Sequence, residues 1–137
     1  MTDKEAKRVA WMCSWYFDDD DWSANPETIK KYDLLAELDT ETGEIISFVL
    51  VEENETYLRG KRSGVLRRCR GKGLGVKMFK RMSQLAKKRG KEYKTYSSLT
   101  NVRSLNAHFA AGMTIEKVDP PDESGFISVH LTTRHFK

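Results

Sequence analysis

The chain has little with which to staple or anchor itself. Its 137 residues include only two cysteines, Cys13 and Cys69, far apart and outside any CxxC or Cys/His ligand spacing. That excludes a disulfide framework and a zinc module, and it makes a reducing cytoplasm the expected location. The three histidines, His108, His130 and His135, also lack metal-site spacing, so no metal is expected. No apolar run approaches the roughly 20 residues of a membrane span, and the opening MTDKEAKRVAW has no signal-peptide core. No membrane partner is therefore expected. Acid is missing from a whole stretch: residues 59–91 hold 14 bases and not one Asp or Glu.

What is present is a chain polarised along its length. Residues 1–58 carry 15 acids against 5 bases, whereas residues 92–137 carry 5 of each. Hydrophobic residues make up 39% and charged residues 32%, the balance of one soluble domain large enough for a real core. The expectation is a single domain over 1–137.

Periodicity supplies the elements. Residues 4–17 have helical spacing, with Val9, Met12, Trp15 and Tyr16 on one side. A break at 18–25 precedes a short helix with Ser23 or Asn25 as its cap and Pro26 at its first position. Residues 33–39 and 45–53 flank Gly43 as a hairpin, and 57–68 form a third strand. From Leu74, the residues Met78, Phe79, Met82, Leu85 and Ala86 mark an amphipathic helix closed by Gly90. A strand at 92–99, a helix at 101–112 and strands at 113–119 and 125–134 complete the order. This predicts a mixed α/β (α+β) sheet covered by helices.

The glycines stand out. In VLRRCRGKGLG, residues 65–75, Gly71, Gly73 and Gly75 alternate at a helix entrance inside the basic block. Glycine costs a helix about 1 kcal/mol relative to alanine, so three of them point to close approach of an outside group. A helix N-terminus offers free N–H groups and a positive dipole end to an anion, and Arg70 and Lys72 add full charges. The spacing fits neither a Walker A loop nor the G-x-G-x-x-G dinucleotide fingerprint, since Val76 and Met78 stand where glycine is required.

The order Arg70, two free positions, Gly73, one free position, Gly75 resembles the acyl-CoA pyrophosphate loop of the GNAT superfamily of N-acetyltransferases. Val65 matches the valine that ends the strand before that loop. A second stretch, NVRSLNAHFAAGM, places Asn101, Ser104, His108, Gly112 and Met113 where the family carries Asn, a small residue, Tyr, Gly and Phe. The resemblance covers nearly the whole chain.

It implies a mostly antiparallel central sheet, flanked by helices, whose middle strands splay around the pantetheine arm of acetyl-CoA. Backbone groups of Val65, Leu66 and Arg67 would hold that arm. The N–H groups of Arg70, Gly71, Lys72, Gly73, Leu74 and Gly75 would hold the pyrophosphate, with further contacts from Asn101 and Ser104. It also implies direct attack of a primary amine on the thioester, with a backbone N–H at Leu66 or Arg67 polarising the carbonyl. The acceptor is expected to be a small cationic molecule or a protein amino group. The acids of the N-terminal half, Asp18 to Asp21 among them, read either as an attractant for that acceptor or, for Asp18 to Asp21, as a solvated loop.

Two departures bear on the chemistry. Arg67 stands where proline is common. His108 replaces the tyrosine that often protonates the departing thiolate. An imidazolium can do the same, with an ordinary pKa near 6.5; the other reading packs His108 beside Leu105 and Phe109. Asn101 and Ser104 likewise read either as helix capping or as cofactor contacts. Two other functions compete: a CoA-binding protein of this fold that acts through a partner without transfer, and a basic nucleic-acid-binding module. The latter leaves the glycine loop unexplained, and 15 acids would repel a duplex, so a nucleic-acid partner is disfavoured. The N-terminus is short for the family, so a first strand is expected to be missing, and exposed strands leave a homodimer open.

Overall fold

The computed structural model describes residues 1–17 and 21–133. In chain order the elements are α1 (Asp3–Ser14), α2 (Pro26–Ile29), β1 (Asp33–Leu38), β2 (Ile45–Glu53), β3 (Tyr57–Val65), α3 (Leu74–Lys88), β4 (Glu92–Ser98), α4 (Val102–Ala110), β5 (Thr114–Val118) and β6 (Ser128–Thr132). Short 3-10 turns occupy Trp22–Ala24 and Arg67–Cys69. The strand order is β1-β2-β3-β4-β6-β5. Pairing is antiparallel for β1 with β2, β4 with β6 and β5 with β6, and parallel for β3 with β4. This is the mixed, mostly antiparallel sheet expected. The β3–β4 register joins Tyr57 to Glu92, Leu58 to Tyr93 and Arg59 to Lys94.

The chain resolves into two compact units, one of Met1–Glu52 with Lys61–Met78, the other of Glu53–Gly60 with the residues from Phe79 onward. In the first, Thr2 caps α1: its hydroxyl accepts from Glu5 N–H while Thr2 N–H donates to the Glu5 carboxylate, a reciprocal capping box. The helix buries Ala6, Val9, Ala10, Met12 and Cys13 against Ile29, Ile45, Phe48 and Leu50. Each large apolar side chain so buried stabilises the fold by about 1.5–3 kcal/mol. Asn25 caps α2 with Pro26 at its first position. The β1–β2 turn closes on Asp39, whose carboxylate accepts from Glu41 and Thr42 N–H.

Two expectations fail in this unit. α1 ends at Ser14, so Trp15 and Tyr16, expected on one side of a helix running over 4–17, lie beyond it and stand 67% and 39% exposed. Asp21, read as a free attractant, caps the 3-10 turn and pairs with Arg62 at 2.9 Å. Asp18, Asp19 and Asp20 lie outside the described residues, as do Arg134 and His135.

In the second unit, Phe79, Met82, Ala86, Tyr93, Met113, Val129 and Leu131 are buried. α3 closes with Lys91 N–H on the Ala86 carbonyl and Gly90 N–H on that of Lys87, the paired bonds of a Schellman cap. α4 closes in the same way, through Met113 N–H on His108 and Gly112 N–H on Phe109. The residue after the cap must turn left-handed, and Gly112 does so at φ +91°. Every residue of the edge strand β5 is exposed. Both cysteines are free and buried.

Candidate functional site

The end of β3 sets up the first motif. Leu66 N–H donates to the Ile46 carbonyl at 2.8 Å, while Cys69 and Arg70 N–H close the 3-10 turn onto Leu66 and Arg67. Of the two expected thioester donors, Leu66 is therefore occupied. Arg67 N–H has no acceptor among the described residues. The Val65 carbonyl accepts from the Tyr16 hydroxyl at 3.4 Å.

The free run begins one residue later than expected, because Arg70 N–H is already bonded. α3 makes its first bond from Lys77 N–H to the Gly73 carbonyl at 3.0 Å, so the N–H groups of Leu74, Gly75 and Val76 lack partners inside the helix. With Gly71, Lys72 and Gly73, they form six successive donors that have no acceptor among the described residues. Gly71 and Gly73 have φ of +79° and +77°, a backbone that a side chain would strain. Gly75 has no such constraint, and a Cβ there would meet nothing nearer than Val65 Cγ2 at 4.0 Å. The chain's own atoms do not require glycine at 75. This cradle fits a pyrophosphate. Lys72 is exposed at its rim, and the Arg70 guanidinium lies 4.6 Å over the Tyr16 ring.

The second motif, in the other unit, is occupied with its own helix. Asn101 caps α4, its side-chain oxygen accepting from Ser104 N–H at 3.2 Å. His108 is 3% exposed and stacks on Phe79 with centroids 3.8 Å apart and planes 16° from parallel. Its Nδ1 lies 2.6 Å from the Ser104 carbonyl, so in the neutral ring Nδ1 carries the hydrogen and donates. Burial pushes the His108 pKa down to about 4, only partly offset by that bond. A neutral ring whose one proton is held by a carbonyl is a poor source of protons for a thiolate. The ring packs, but on Phe79 rather than beside the expected Phe109, which is 42% exposed.

Sequence reasoning missed a cavity in the first unit. About 450 Å³ in volume, it is lined by Trp11, Met12, Trp15 and Tyr16, by Leu66 and the arginines Arg8, Arg67 and Arg68, and by Glu44. Helical periodicity set Trp15 and Tyr16 beside Val9 and Met12; the one sequence signal for a second aromatic face is Trp11 four residues before Trp15.

The family model described as the acetyltransferase (GNAT) family matches residues 2–113. The chain belongs to the GNAT acetyltransferase family. The match spans both units and both motifs. Among solved structures with the same fold, a chain of the NatC complex bound to Gag peptide and CoA has a TM-score of 0.81 at 10% identity, covering 98% of this chain and 93% of that one. The ribosomal-protein-S18-alanine N-acetyltransferase of Escherichia coli has a TM-score of 0.72 at 13% identity, covering 95% and 85%. A nourseothricin acetyltransferase has a TM-score of 0.60 at 19% identity, covering 68% and 59%. A search of curated sequences found no match. The GNAT assignment rests on the family model; the structural likenesses show the fold alone.

Proposed function

We propose that the protein is an acetyl-CoA-dependent N-acetyltransferase that acetylates a primary amine, the whole chain serving as one acyl-CoA-binding domain. The observation that carries this reading is the run of N–H groups from Gly71 to Val76 without an acceptor among the described residues, with a glycine at 75 that no neighbouring atom of the chain requires. Gly71, Lys72, Gly73, Leu74 and Gly75 hold the pyrophosphate. Val65, Leu66 and Arg67 hold the pantetheine arm through backbone groups, the Leu66 carbonyl being already shared with Cys69 N–H. Asn101 and Ser104 act chiefly by forming α4. When bound, acetyl-CoA supplies an activated acyl group; the chain's part is to position it and to stabilise the oxygen as negative charge develops, for which Arg67 N–H is the free donor. His108 is taken as a packing residue of its own unit, stacked on Phe79 with Nδ1 on the Ser104 carbonyl, rather than as the proton donor.

The acceptor classes considered are small molecules and protein amino groups. The resemblance favours neither. A homodimer through the exposed strand β5 belongs to the same reading, and sedimentation at micromolar concentration tests it. A CoA-binding protein without transfer would share the loop, so the deciding experiment has two readouts. Calorimetric titration of acetyl-CoA is expected to show binding, and thiol release in a screen of amines is expected to show turnover. Binding without turnover on any amine supports the non-transferring alternative. Absence of binding at modest salt overturns both.

A further inference from the structure

The cavity of the first unit is walled largely by aromatic rings. Its walls are the indoles of Trp11 and Trp15, the Tyr16 ring, Met12 and Leu66, and the two indoles meet edge to face with centroids 5.9 Å apart. Exposing two tryptophans and a tyrosine around one hollow forgoes burial that a core would otherwise gain. Aromatic surface arranged this way receives another ring through stacked and edge contacts.

Charge adds a second, independent constraint. Arg8, Arg67 and Arg68 line the cavity against a single acid, Glu44. Arg8 is the fixed member: its Nε donates to the Ile45 carbonyl at 3.1 Å, its guanidinium lies 4.6 Å over Trp11, and it pairs with Glu44 at 3.7 Å. Arg68 reaches Asp39 only at 3.9 Å and is 60% exposed. Arg67 has no carboxylate partner among the described residues. The Arg67 guanidinium is thus open to an anion, with Arg68 beside it held only by the long Asp39 contact, and the planar fork of a guanidinium matches a carboxylate.

Position supplies the third constraint. Leu66 and Arg67 belong both to the cavity wall and to the segment that carries the free Arg67 N–H, while Tyr16 joins the wall to Arg70 of the glycine loop. We infer that the cavity binds the acceptor, and that the acceptor is a small aromatic amine bearing a carboxylate. This deepens the acetyltransferase reading and rests on it only for the word acceptor; the binding chemistry stands on the cavity itself. It also replaces the small cationic acceptor expected from the acidic N-terminal half, because the charge lining this cavity has the opposite sign.

The test separates the two claims. Phenylacetate, which has the ring and carboxylate but no amine, is titrated calorimetrically into the full chain, beside phenethylamine, which lacks the carboxylate, and spermidine. Phenylacetate is expected to bind at least about tenfold more tightly than either amine. Trp15→Ala and Arg68→Gln, both at exposed side chains, are expected to weaken phenylacetate at least about fivefold while leaving acetyl-CoA binding within about twofold. With acetyl-CoA present, L-phenylalanine or 4-aminophenylacetate should then release thiol at lower KM than phenethylamine. Phenylacetate binding that is absent, or unchanged in both variants, overturns the inference even where acetyl-CoA binds. Phenylacetate binding without any acetyl-CoA binding keeps the aromatic-carboxylate site but overturns its role as acceptor site, and with it the acetyltransferase reading.

Discussion

At the scale of single residues, His108 shows how one burial event changes a chemical role. Its folded pKa of about 4 lies below the ordinary 6.5, so the unfolded chain binds a proton that the folded one refuses. The sign follows: the contribution to stability is fully present above pH 6.5 and is lost as pH falls toward 4, by about 3 kcal/mol in all. Urea unfolding of the wild type across that range should show the loss, and His108→Phe, which keeps the stack on Phe79, should flatten it. The same variant should keep kcat within about threefold; a fall of a hundredfold or more with stability intact would restore the catalytic role. Gly75 makes the complementary case. Gly75→Glu places a carboxylate in the first turn of α3, where the helix dipole favours it, and the Cβ has room. Thermal stability should hold or rise while acetyl-CoA affinity falls at least about tenfold.

At the scale of elements, most of the fold was legible in the sequence because caps and periodicity agree there. The Asn25–Pro26 start of α2, the stripe of α3 and its Gly90 stop all sit where their local chemistry dictates. The second motif was legible for a different reason from the one it suggested. Asn101 and Gly112 begin and end α4, and the carbonyls of Ser104 and His108 are engaged within or just after it. Asn101→Ala should therefore cost about 1 kcal/mol in unfolding free energy, and acetyl-CoA affinity, titrated alongside, should change by less than about threefold. The end of α1 was not legible. Trp15 and Tyr16 continue the helical spacing, and only a three-dimensional neighbour could reveal that the core behind them is already filled by Val9, Met12 and Phe48. The occupied Leu66 N–H was equally hidden, since its acceptor lies on another strand.

At the scale of the whole molecule, part of the charge segregation of the sequence is complementarity. Bases of the 59–91 block meet acids of the first 58 residues within each unit: Arg62 on Asp21 and Lys77 on Glu37 in one, Arg89 and Lys91 on Glu53 in the other. A polybasic stripe on duplex DNA would need those cations free. Fluorescence anisotropy with a duplex at about 150 mM salt should show no binding; binding that falls steeply with salt, with a slope of several phosphates, would bring the nucleic-acid reading back. Acetyl-CoA binding should show only the shallow salt dependence of a few contacts.

Cys13 and Cys69 both lie in the first unit, 1% and 4% exposed, and burial pushes the Cys13 thiol above its usual range. A thiol-reactive dye added to the folded protein therefore meets almost no protein thiolate. Any rapid colour in a turnover assay comes from released CoA, and the slow colour that follows counts the openings of the unit that holds the glycine loop. One reagent thus times both the reaction and the breathing of the site.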